Sequence, residues 1–432
     1  MNGTWALRGG TVVDRLGVRQ ADVTVDGDAI VAVGDTPPDA RSIDVSGCYV
    51  LPGLVDIQVH FRTPGGEVSE TMESGAASAA LGGVTACVMM PNTIPTIDSV
   101  EMVRAVRERA VGLPCDVLTS AAITVAREGN ELTDFEALYD EGVRIFTDDG
   151  TAVANTALMR QALAATVKLP GSVVSQHAED PDLVGDGSLN ESPVAERLGV
   201  IGRPREAEEI IVARDLILAR RTGGRYHVLH LSTAEALDLI RTARAAGVRA
   251  TAEVTPQHLL LNELDVEPLG TSGKMNPPLR ESSDNAALRE GIRDGSIDAI
   301  ATDHAPHSPE SKCRPLAEAP PGMLGVETSA AVVFSELVAE GALDLQRAAE
   351  VLSTNPAAIA GLDGPAGHGG PIVAGAAANL AVIDPQAEWV ISGTDLASRS
   401  DNTPWQGRRL NARVRHTVLR GRFTVRDSKL VG

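Results

Sequence analysis

The sequence predicts an α/β protein whose main part is a (β/α)₈ TIM barrel, with a small β-sandwich built from both termini. Two observations indicate this fold: apolar, strand-like runs alternate with helical patterns through the middle of the chain, and both ends carry short strands without helical periodicity. A length of 432 residues allows one large barrel plus an accessory domain. We therefore expect a composite sandwich from residues 1–51 and 371–432, and a catalytic barrel from residues 52–370.

The two ends of the chain read as short strands separated by tight turns, such as Asp26-Gly27-Asp28. The N-terminal runs are Trp5–Leu7, Thr11–Val13, Ala21–Val25 and Ile30–Val33. The same texture returns near the C-terminus at Asn379–Ile383, Glu388–Ile391, Val414–Leu419 and Arg422–Val425. Two β-rich ends around a long middle predict one sandwich assembled from both termini.

The middle of the chain contains eight buried-type runs: Cys48–Ile57, Thr85–Met90, Asp116–Ile123, Val143–Thr147, Ser172–Gln176, Arg225–Leu231, Val248–Val254 and Ile297–Thr302. Helical patterns lie between them at Glu70–Leu81, Val100–Ala110, Thr156–Val167, Arg205–Arg221, Thr233–Ala245 and Asn285–Arg293. Eight strands, each followed by a helix or a long excursion, favour a closed barrel over an open doubly wound sheet, since no G-x-G-x-x-G follows the first strand. We expect the segments 178–204 and 304–323 to be active-site loops.

Composition excludes several classes of function. With 38 Lys+Arg against 58 Asp+Glu, the net charge of −20 argues against nucleic acid and anionic membranes as partners. No apolar run approaches the ~18 to 20 residues that span a bilayer, and the start lacks the pattern of a signal peptide. Four widely spaced cysteines predict neither a disulfide framework nor a thiolate zinc site. The expectation is a cytoplasmic enzyme.

Polar residues of ligand type stand where the predicted barrel strands end, and these ends meet at one rim of a barrel. Histidine, aspartate and carboxamide ligands suit a divalent metal such as zinc or manganese. Each residue alone also has a plain structural interpretation; Asp148-Asp149 is a common turn, and His227 is expected to point towards the helices. Five strand ends carrying such groups favour a metal site: Asp56, Gln58 and His60; Asp148 and Asp149; Gln176 and His177; His230; Asp303 and His304.

Seven ordered motifs between about Leu7 and Val425 then carry a resemblance. They are P-G-L-V-D-I-Q-V-H-F-R-T-P-G from Pro52, M-P-N from Met90, F-T-D-D-G from Phe146, H-A-E-D from His177, H-L-S-T from His230, M-N-P-P-L-R from Met275 and A-T-D-H-A-P-H from Ala301. Together they resemble dihydroorotases of the larger bacterial type, metal-dependent members of the amidohydrolase superfamily. N-T-P from Asn402 in the tail also matches.

The resemblance implies metal-assisted, reversible hydrolysis of dihydroorotate to N-carbamoyl-aspartate in pyrimidine biosynthesis. It implies one or two divalent metals per chain, zinc above all, held by His60, Asp149, His177, His230 and Asp303, with Gln58 as a weak ligand at the second position. Asp303 would also move the proton. The implied substrate contacts are Arg62, Asn92 and His307 to the carboxylate, Asn276 to the ring, and the backbone of Pro321-Gly322 as a cap. An arginine offers a rigid fork to a planar carboxylate.

The sequence departs from the superfamily pattern in two places. Many members carry a carboxylated lysine on the fourth strand, whereas the four lysines here (Lys168, Lys274, Lys312 and Lys429) all lie elsewhere and Asp149 takes that position. The first histidine of the D-x-H-x-H motif is Gln58, and a carboxamide is a weaker, neutral donor for zinc than imidazole. The usual glutamate after Arg62 is Thr63. We expect the second metal position to bind more weakly.

Two alternatives stand beside this interpretation. One is another cyclic amidase of the same fold, of the hydantoinase or allantoinase kind, whose patterns lack an arginine at the position of Arg62. The other is a non-catalytic, dihydroorotase-like scaffold subunit for aspartate carbamoyltransferase, because such homologues lose metal ligands as this chain has at Gln58. The resemblance also implies a homodimer and contact with aspartate carbamoyltransferase as partners.

Overall fold

The computed structural model describes residues 3–364 and 367–431, so the first two residues and the last residue of the predicted sandwich lie outside the described part. The N-terminal region forms seven strands: β1 Trp5–Arg8, β2 Thr11–Asp14, β3 Gly17–Gln20, β4 Asp22–Asp26, β5 Ala29–Gly34, β6 Arg41–Asp44 and β7 Tyr49–Pro52. All four strands predicted near the N-terminus are among them.

The middle of the chain adds ten strands: β8 Leu54–Val59, β9 Val84–Met89, β10 Asp116–Thr119, β11 Ile145–Phe146, β12 Val173–Gln176, β13 Leu189–Asn190, β14 Gly202–Arg203, β15 Tyr226–Val228, β16 Ala250–Val254 and β17 Ala299–Ile300. Eight of them form two parallel sheets, β8-β9-β10 and β11-β12-β15-β16-β17. Parallel bridges Ala121–Phe146 and Val59–His304 link the edges of these two sheets. The fold is therefore α/β, with a parallel strand order that follows the chain.

In the described part of the chain, fifteen α-helices surround or connect these strands: α1 Met72–Leu81, α2 Val100–Arg109, α3 Phe135–Asp140, α4 Thr156–Thr166, α5 Pro181–Val184, α6 Pro193–Leu198, α7 Glu206–Thr222, α8 Ala234–Ala245, α9 Pro256–Leu260, α10 Val266–Leu269, α11 Ser282–Asp294, α12 Pro309–Lys312, α13 Ser329–Val333, α14 Leu345–Ala349 and α15 Asn355–Ile359. All six predicted helices are present. Side-chain caps begin several of them; the Thr233 hydroxyl, for example, accepts from the backbone of Ala236 at the start of α8. Over residues 3–364 and 367–431, no helix has the length and apolar character needed to cross a membrane.

The prediction of one strand over Cys48–Ile57 is wrong, because that run forms two strands in different sheets. β7 pairs with the terminal strands, whereas β8 pairs with β9. Gly53 separates them, and a side chain there would meet Thr85 at 2.2 Å. The close approach of Thr85 therefore requires glycine at the point where the chain leaves one sheet for the other.

The C-terminal region supplies six strands: β18 Leu380–Asp384, β19 Trp389–Val390, β20 Arg409–Leu410, β21 Arg413–Leu419, β22 Arg422–Arg426 and β23 Lys429–Leu430. A seven-stranded sheet, β23-β22-β21-β18-β7-β2-β3, joins strands from both ends of the chain. A four-stranded sheet, β5-β4-β1-β6, contributes to the same apolar cluster, in which Trp5 and Val25 lie with Val50, Leu380 and Val418.

Candidate active site

Asp149 lies at the centre of a buried cluster formed where four parallel strands end. Its carboxylate is 3.2 Å from His60 Nε2, 3.4 Å from His177 Nδ1 and 3.4 Å from His230 Nε2. All four side chains are almost completely buried. These residues follow β8, β11, β12 and β15, so the convergence predicted from the strand ends is present.

Asp149, His177 and His230 form a first donor group. His177 Nδ1 and His230 Nε2 lie 2.9 Å apart, and each is 3.4 Å from Asp149 Oδ1. Ligands about 2.0 Å from one tetrahedral ion are about 3.3 Å from one another. Neither oxygen of Asp149 has a hydrogen-bond partner, although both are buried. The donor types and their separations fit a divalent metal better than a hydrogen-bonded cluster.

His60, Asp149 and Asp303 form a second donor group. His60 Nε2 is 2.8 Å from Asp303 Oδ1 and 3.2 Å from Asp149 Oδ2, so Asp149 is shared between the two groups. Gln58 is completely buried on β8, two residues before His60, and both its amide oxygen and its amide nitrogen lack partners. A buried carboxamide without partners is expensive unless something else engages it.

The charges in this cluster shift the pKa values of its histidines upward. Burial by itself lowers the pKa of His60, but contacts with Asp149 and Asp303 raise it to about 9. Burial acts likewise on His177, whose pKa is raised to about 9 by Asp149 and Glu179. Burial acts to raise the pKa of Asp149, but contacts with His177, His230 and His60 hold it well below its usual value. The cluster thus stabilises positive charge, carried by protons or by a metal ion.

Two residues fix the histidine rings from their far sides. His60 Nδ1 donates to Asn92 Oδ1 at 2.9 Å, and His177 Nε2 donates to Glu179 Oε2 at 3.0 Å. Glu179 in turn accepts from Arg203 Nη1 at 2.7 Å. Such partners fix which ring nitrogen is available to a metal. Asn92 was predicted to contact the substrate, and Glu179 was not predicted, although its place two residues after His177 in H-A-E-D is a usable signal.

The expectation that His227 points towards the helices is wrong. Its neighbours Tyr226 and Val228 pack in the cluster that contains the helices, while His227 bonds to Thr251 Oγ1 at 2.8 Å and Glu253 Oε2 at 3.1 Å. The predicted alternation from His230 fails because β15 ends at Val228 and His230 has a φ of +32°. Asp303 also has a positive φ, +47°. Non-glycine residues in this region are rare and cluster at functional sites.

Arg62, His307 and Pro321 lie together at the mouth of the second donor group. Arg62 donates from Nε to Pro306 O at 3.3 Å, and His307 Nε2 donates to Pro321 O at 2.8 Å. Burial lowers the pKa of Arg62 to about 10, while the charges of Asp303 and Asp149 oppose this shift, so Arg62 is a cation at neutral pH. Arg62 Nη2 lies 3.5 Å from His307 Nε2. Because the single N–H of the neutral His307 is on that nitrogen and donates to Pro321 O, His307 cannot accept from Arg62 there, and both η nitrogens of Arg62 remain available to a ligand.

Gly322 and Asn276 differ in their availability to a ligand. The Gly322 amide donates to Lys274 O at 2.8 Å, and its carbonyl accepts from Lys312 Nζ and Asn402 Nδ2, each at 3.0 Å, so its backbone is already satisfied. Asn276 Oδ1 is buried without a partner. Asn276 lines a cavity of about 620 Å³ together with Arg203, Lys274 and Ala317–Pro321.

Asp148, one of the predicted strand-end groups, and Arg127, which was not predicted, both lie at the rim. Asp148 does not face the cluster; its carboxylate accepts from the amides of Ile123 and Thr124 at 2.7 and 3.0 Å. Arg127, with a φ of +59°, donates to the Asp148 carbonyl at 3.2 Å. Both contacts hold the chain at the residue before Asp149. A larger cleft of about 1610 Å³ between α2 and the β21–β22 hairpin shares no residue with either donor group.

The chain is similar to dihydroorotases in sequence and to a hydantoinase in structure. A family model described as dihydro-orotase-like matches residues 47–236. The dihydroorotase of Mycobacterium leprae (strain TN) is 45% identical over 417 residues, which cover 95% of this chain and 96% of that protein. The dihydroorotase of Streptomyces coelicolor is 42% identical over 429 residues, covering 98% and 99%. A solved D-hydantoinase has a TM-score of 0.87 at 27% identity, covering 100% of this chain and 97% of its own.

Proposed function

The chain belongs to the dihydroorotase family, and on that premise we propose that it interconverts dihydroorotate and N-carbamoyl-aspartate by opening and closing a cyclic amide. The observation that supports this most is the position of Asp149, shared by two buried donor groups, with Arg62 beside the second of them. The donor groups around Asp149 would serve hydrolysis, and Arg62 would serve recognition of a ring carboxylate.

We propose that the first donor group, Asp149, His177 and His230, holds a divalent metal, and that zinc is the ion. Three nitrogen and oxygen ligands leave one position open, as in catalytic zinc sites. The second group, His60, Asp149 and Asp303 with Gln58, is proposed as a weaker position. With a divalent metal held by these residues, the site would supply polarisation of a ring carbonyl and a water of lowered pKa.

Asp303 is the residue we propose to move the proton. Its Oδ1 is 2.8 Å from His60 Nε2, which fixes the carboxylate at the rim of the second group. In the hydrolytic direction, water forms a bond to the ring carbonyl carbon and gives a proton to an Asp303 carboxylate oxygen. The carbon–nitrogen bond then breaks, and Asp303 returns that proton to the leaving nitrogen. Ring closure runs through the same steps in reverse.

Arg62 is the residue we propose to bind the ring carboxylate, with His307 and Asn92 beside it. The free η nitrogens of Arg62 offer a bidentate contact. Asn92 Oδ1 is used by His60, so only its amide nitrogen remains as a donor for the substrate. Asn276, with its unpartnered Oδ1, is the proposed contact to a ring N–H. The occupied backbone of Gly322 cannot cap a ring in this arrangement, so the proposed Pro321-Gly322 cap requires these bonds to exchange.

A substrate panel tests this proposal. The purified chain, supplied with zinc, is assayed with dihydroorotate and N-carbamoyl-aspartate, and in parallel with hydantoin, dihydrouracil and allantoin. We expect turnover in both directions with the carboxylate-bearing pair and little with the uncharged rings. Preference for an uncharged ring would favour a hydantoinase-like amidase, the class of the structural neighbours. Absence of turnover together with absence of metal uptake would favour the scaffold function.

The remaining proposals concern the barrel, the domain boundaries, the partners and the cellular location. We propose that the eight parallel strands close into a (β/α)₈ barrel over residues 52–370, supported by the two bridges and by Thr302 Oγ1, which donates to Asp56 Oδ2 at 2.5 Å across β8 and β17. Residues 1–51 and 371–432 are proposed as the sandwich domain. A homodimer, contact with aspartate carbamoyltransferase and a cytoplasmic location stay predictions, which size-exclusion chromatography, co-purification and fractionation test.

A further inference from the structure

Two of the four lysines of this chain are buried on either side of segment 313–322, which lines the cavity at Asn276. Lys274 is 4% exposed and Lys312 is 6% exposed, whereas Lys168 and Lys429 are exposed on the surface. Burying an ammonium group is costly unless it is paired, and lysine is among the residue types least often buried. Two such groups in one place call for a specific explanation.

Both ammonium groups donate to backbone carbonyls of one irregular segment, residues 313–322, and Lys274 Nζ also donates to Ser188 Oγ at 3.4 Å. Lys274 Nζ donates to Leu316 O at 2.7 Å and to Ala317 O at 3.1 Å. Lys312 Nζ donates to Pro320 O and Gly322 O, both at 3.0 Å. Within residues 3–364 and 367–431, neither lysine forms an ion pair with a carboxylate. Most of their hydrogen bonds are thus used to hold main chain.

Further hydrogen bonds connect the same two stretches of chain. Gly322 donates its amide to Lys274 O at 2.8 Å, and Thr271 Oγ1 donates to Lys312 O at 2.6 Å. Segment 313–322 has no regular secondary structure of its own. Because the segment is not part of a strand or helix, the hydrogen bonds from the two lysines to its carbonyls help to fix its conformation.

The segment held in this way lines a cavity that also contains Asn276 and that shares no residue with either donor group. Ala317–Pro321 line the cavity of about 620 Å³ together with Asn276, which follows Lys274 by two residues. Pro321 O accepts the N–H of His307, and so fixes the ring that lies against Arg62. Displacing the segment would therefore move the residues that we propose to hold the ring and its carboxylate.

We infer that Lys274 and Lys312 are positioning residues that hold segment 313–322 as one wall of the cavity at Asn276, and thereby place His307 and Asn276. The inference rests on the proposed function for what the cavity binds. The low dielectric around the pair is consistent with this role, since burial and the charge of Lys274 lower the pKa of Lys312 to about 7. The lysines do not touch the reacting atoms; they act on the substrate through the segment.

The experiment uses Cys313 as a native reporter at the start of the segment. It is the exposed cysteine of the chain, since Cys48, Cys87 and Cys115 are buried. A nitroxide label on Cys313 reports local mobility by electron paramagnetic resonance without substrate or metal. Lys312→Met and Lys274→Met remove an ammonium group but keep an unbranched chain, and Lys168→Met and Lys429→Met are matched controls at exposed lysines.

We expect Lys312→Met and Lys274→Met to increase label mobility and to raise KM for dihydroorotate at least tenfold, with kcat changed less than threefold. This split is expected because the lost contacts serve ground state and transition state alike. The two controls should have the label mobility and the KM of the wild type. Lys312→Arg keeps the charge and the donors, so its KM should lie between those of the wild type and Lys312→Met. Unchanged mobility together with unchanged KM in a folded Lys312→Met protein would overturn the inference.

The label separates this inference from the proposed function. If the wild type turned over no dihydroorotate, the proposed function would fail, while the mobility comparison in the ligand-free protein would still test whether the lysines hold the segment. If Lys312→Met does not fold, Lys274→Met and Lys312→Arg carry the same comparison. A mobile label in Lys274→Met with an unchanged KM would overturn the positioning role.

Discussion

Replacing Gln58 by histidine is expected to tighten the weaker metal position and leave the stronger one unchanged. Gln58 lies two residues before His60, fully buried, with neither amide atom hydrogen bonded. The substitution exchanges a neutral oxygen donor for an imidazole, which is the better ligand for zinc. The group of Asp149, His177 and His230 does not include this residue, so its affinity should stay constant.

The size of the effect follows from the number of donors. The second group offers His60, Asp149 and Asp303, and an imidazole at position 58 adds a fourth strong ligand. Losing even a supporting residue outside the ligand set typically costs about 10- to 100-fold in metal affinity, so this range is a lower bound for a ligand itself. It corresponds to about 1.4–2.7 kcal/mol of binding free energy.

Equilibrium dialysis of the metal-free protein against zinc, with metal analysis of the protein, measures both positions in one titration. Gln58→Met is the control, because it removes the amide and adds no ligand. That variant should bind the first metal normally and the second no more tightly than the wild type. Since an unpaired buried polar group costs about 1–3 kcal/mol, Gln58→Met should also stabilise the metal-free fold by that order. If Gln58→His bound zinc at the second position no more tightly than the wild type does, the reasoning would be refuted.

Four further outcomes are expected. Asp303→Asn keeps an oxygen donor but loses the proton carrier, so kcat should fall at least 100-fold with the first metal retained by metal analysis. Arg62→Met should raise KM for dihydroorotate by an amount equivalent to ~2 to 5 kcal/mol and alter hydrolysis of dihydrouracil little; equal losses on both would mark Arg62 as structural. Glu179→Gln, which weakens the support of His177, should lower the affinity of the first metal about 10- to 100-fold in dialysis. Burial lowers the pKa of His258 to about 4, below its ordinary 6.5, so the folded state resists protonation and stability falls as pH drops from about 6.5 towards 4. The wild type should therefore lose about 2 kcal/mol more than His258→Gln between pH 7 and 5 in urea unfolding.

Local patterns in the sequence were sufficient for the longer elements and for the residues of the two donor groups. Periodicity predicted six of the fifteen α-helices in residues 3–364 and 367–431, because an amphipathic stripe is a property of neighbouring residues, whereas the other nine helices are too short to show one. The donor residues stood directly after apolar runs, and parallel strands bring such ends together whatever their spacing along the chain. The resemblance supplied their roles, and the shared position of Asp149 is what the structure adds to that list.

Other features depended on contacts between distant parts of the chain, which no local pattern contains. The need for glycine at position 53 arises from Thr85, and the orientation of His227 arises where β15 ends early. The roles of Lys274 and Lys312 depend on carbonyls up to 43 residues away, in a segment whose sequence shows no periodicity. Burial and pairing energies are set by such long-range neighbours. The sequence therefore determined which groups are available for chemistry, and the tertiary structure decided which of them meet and which hold the others in place.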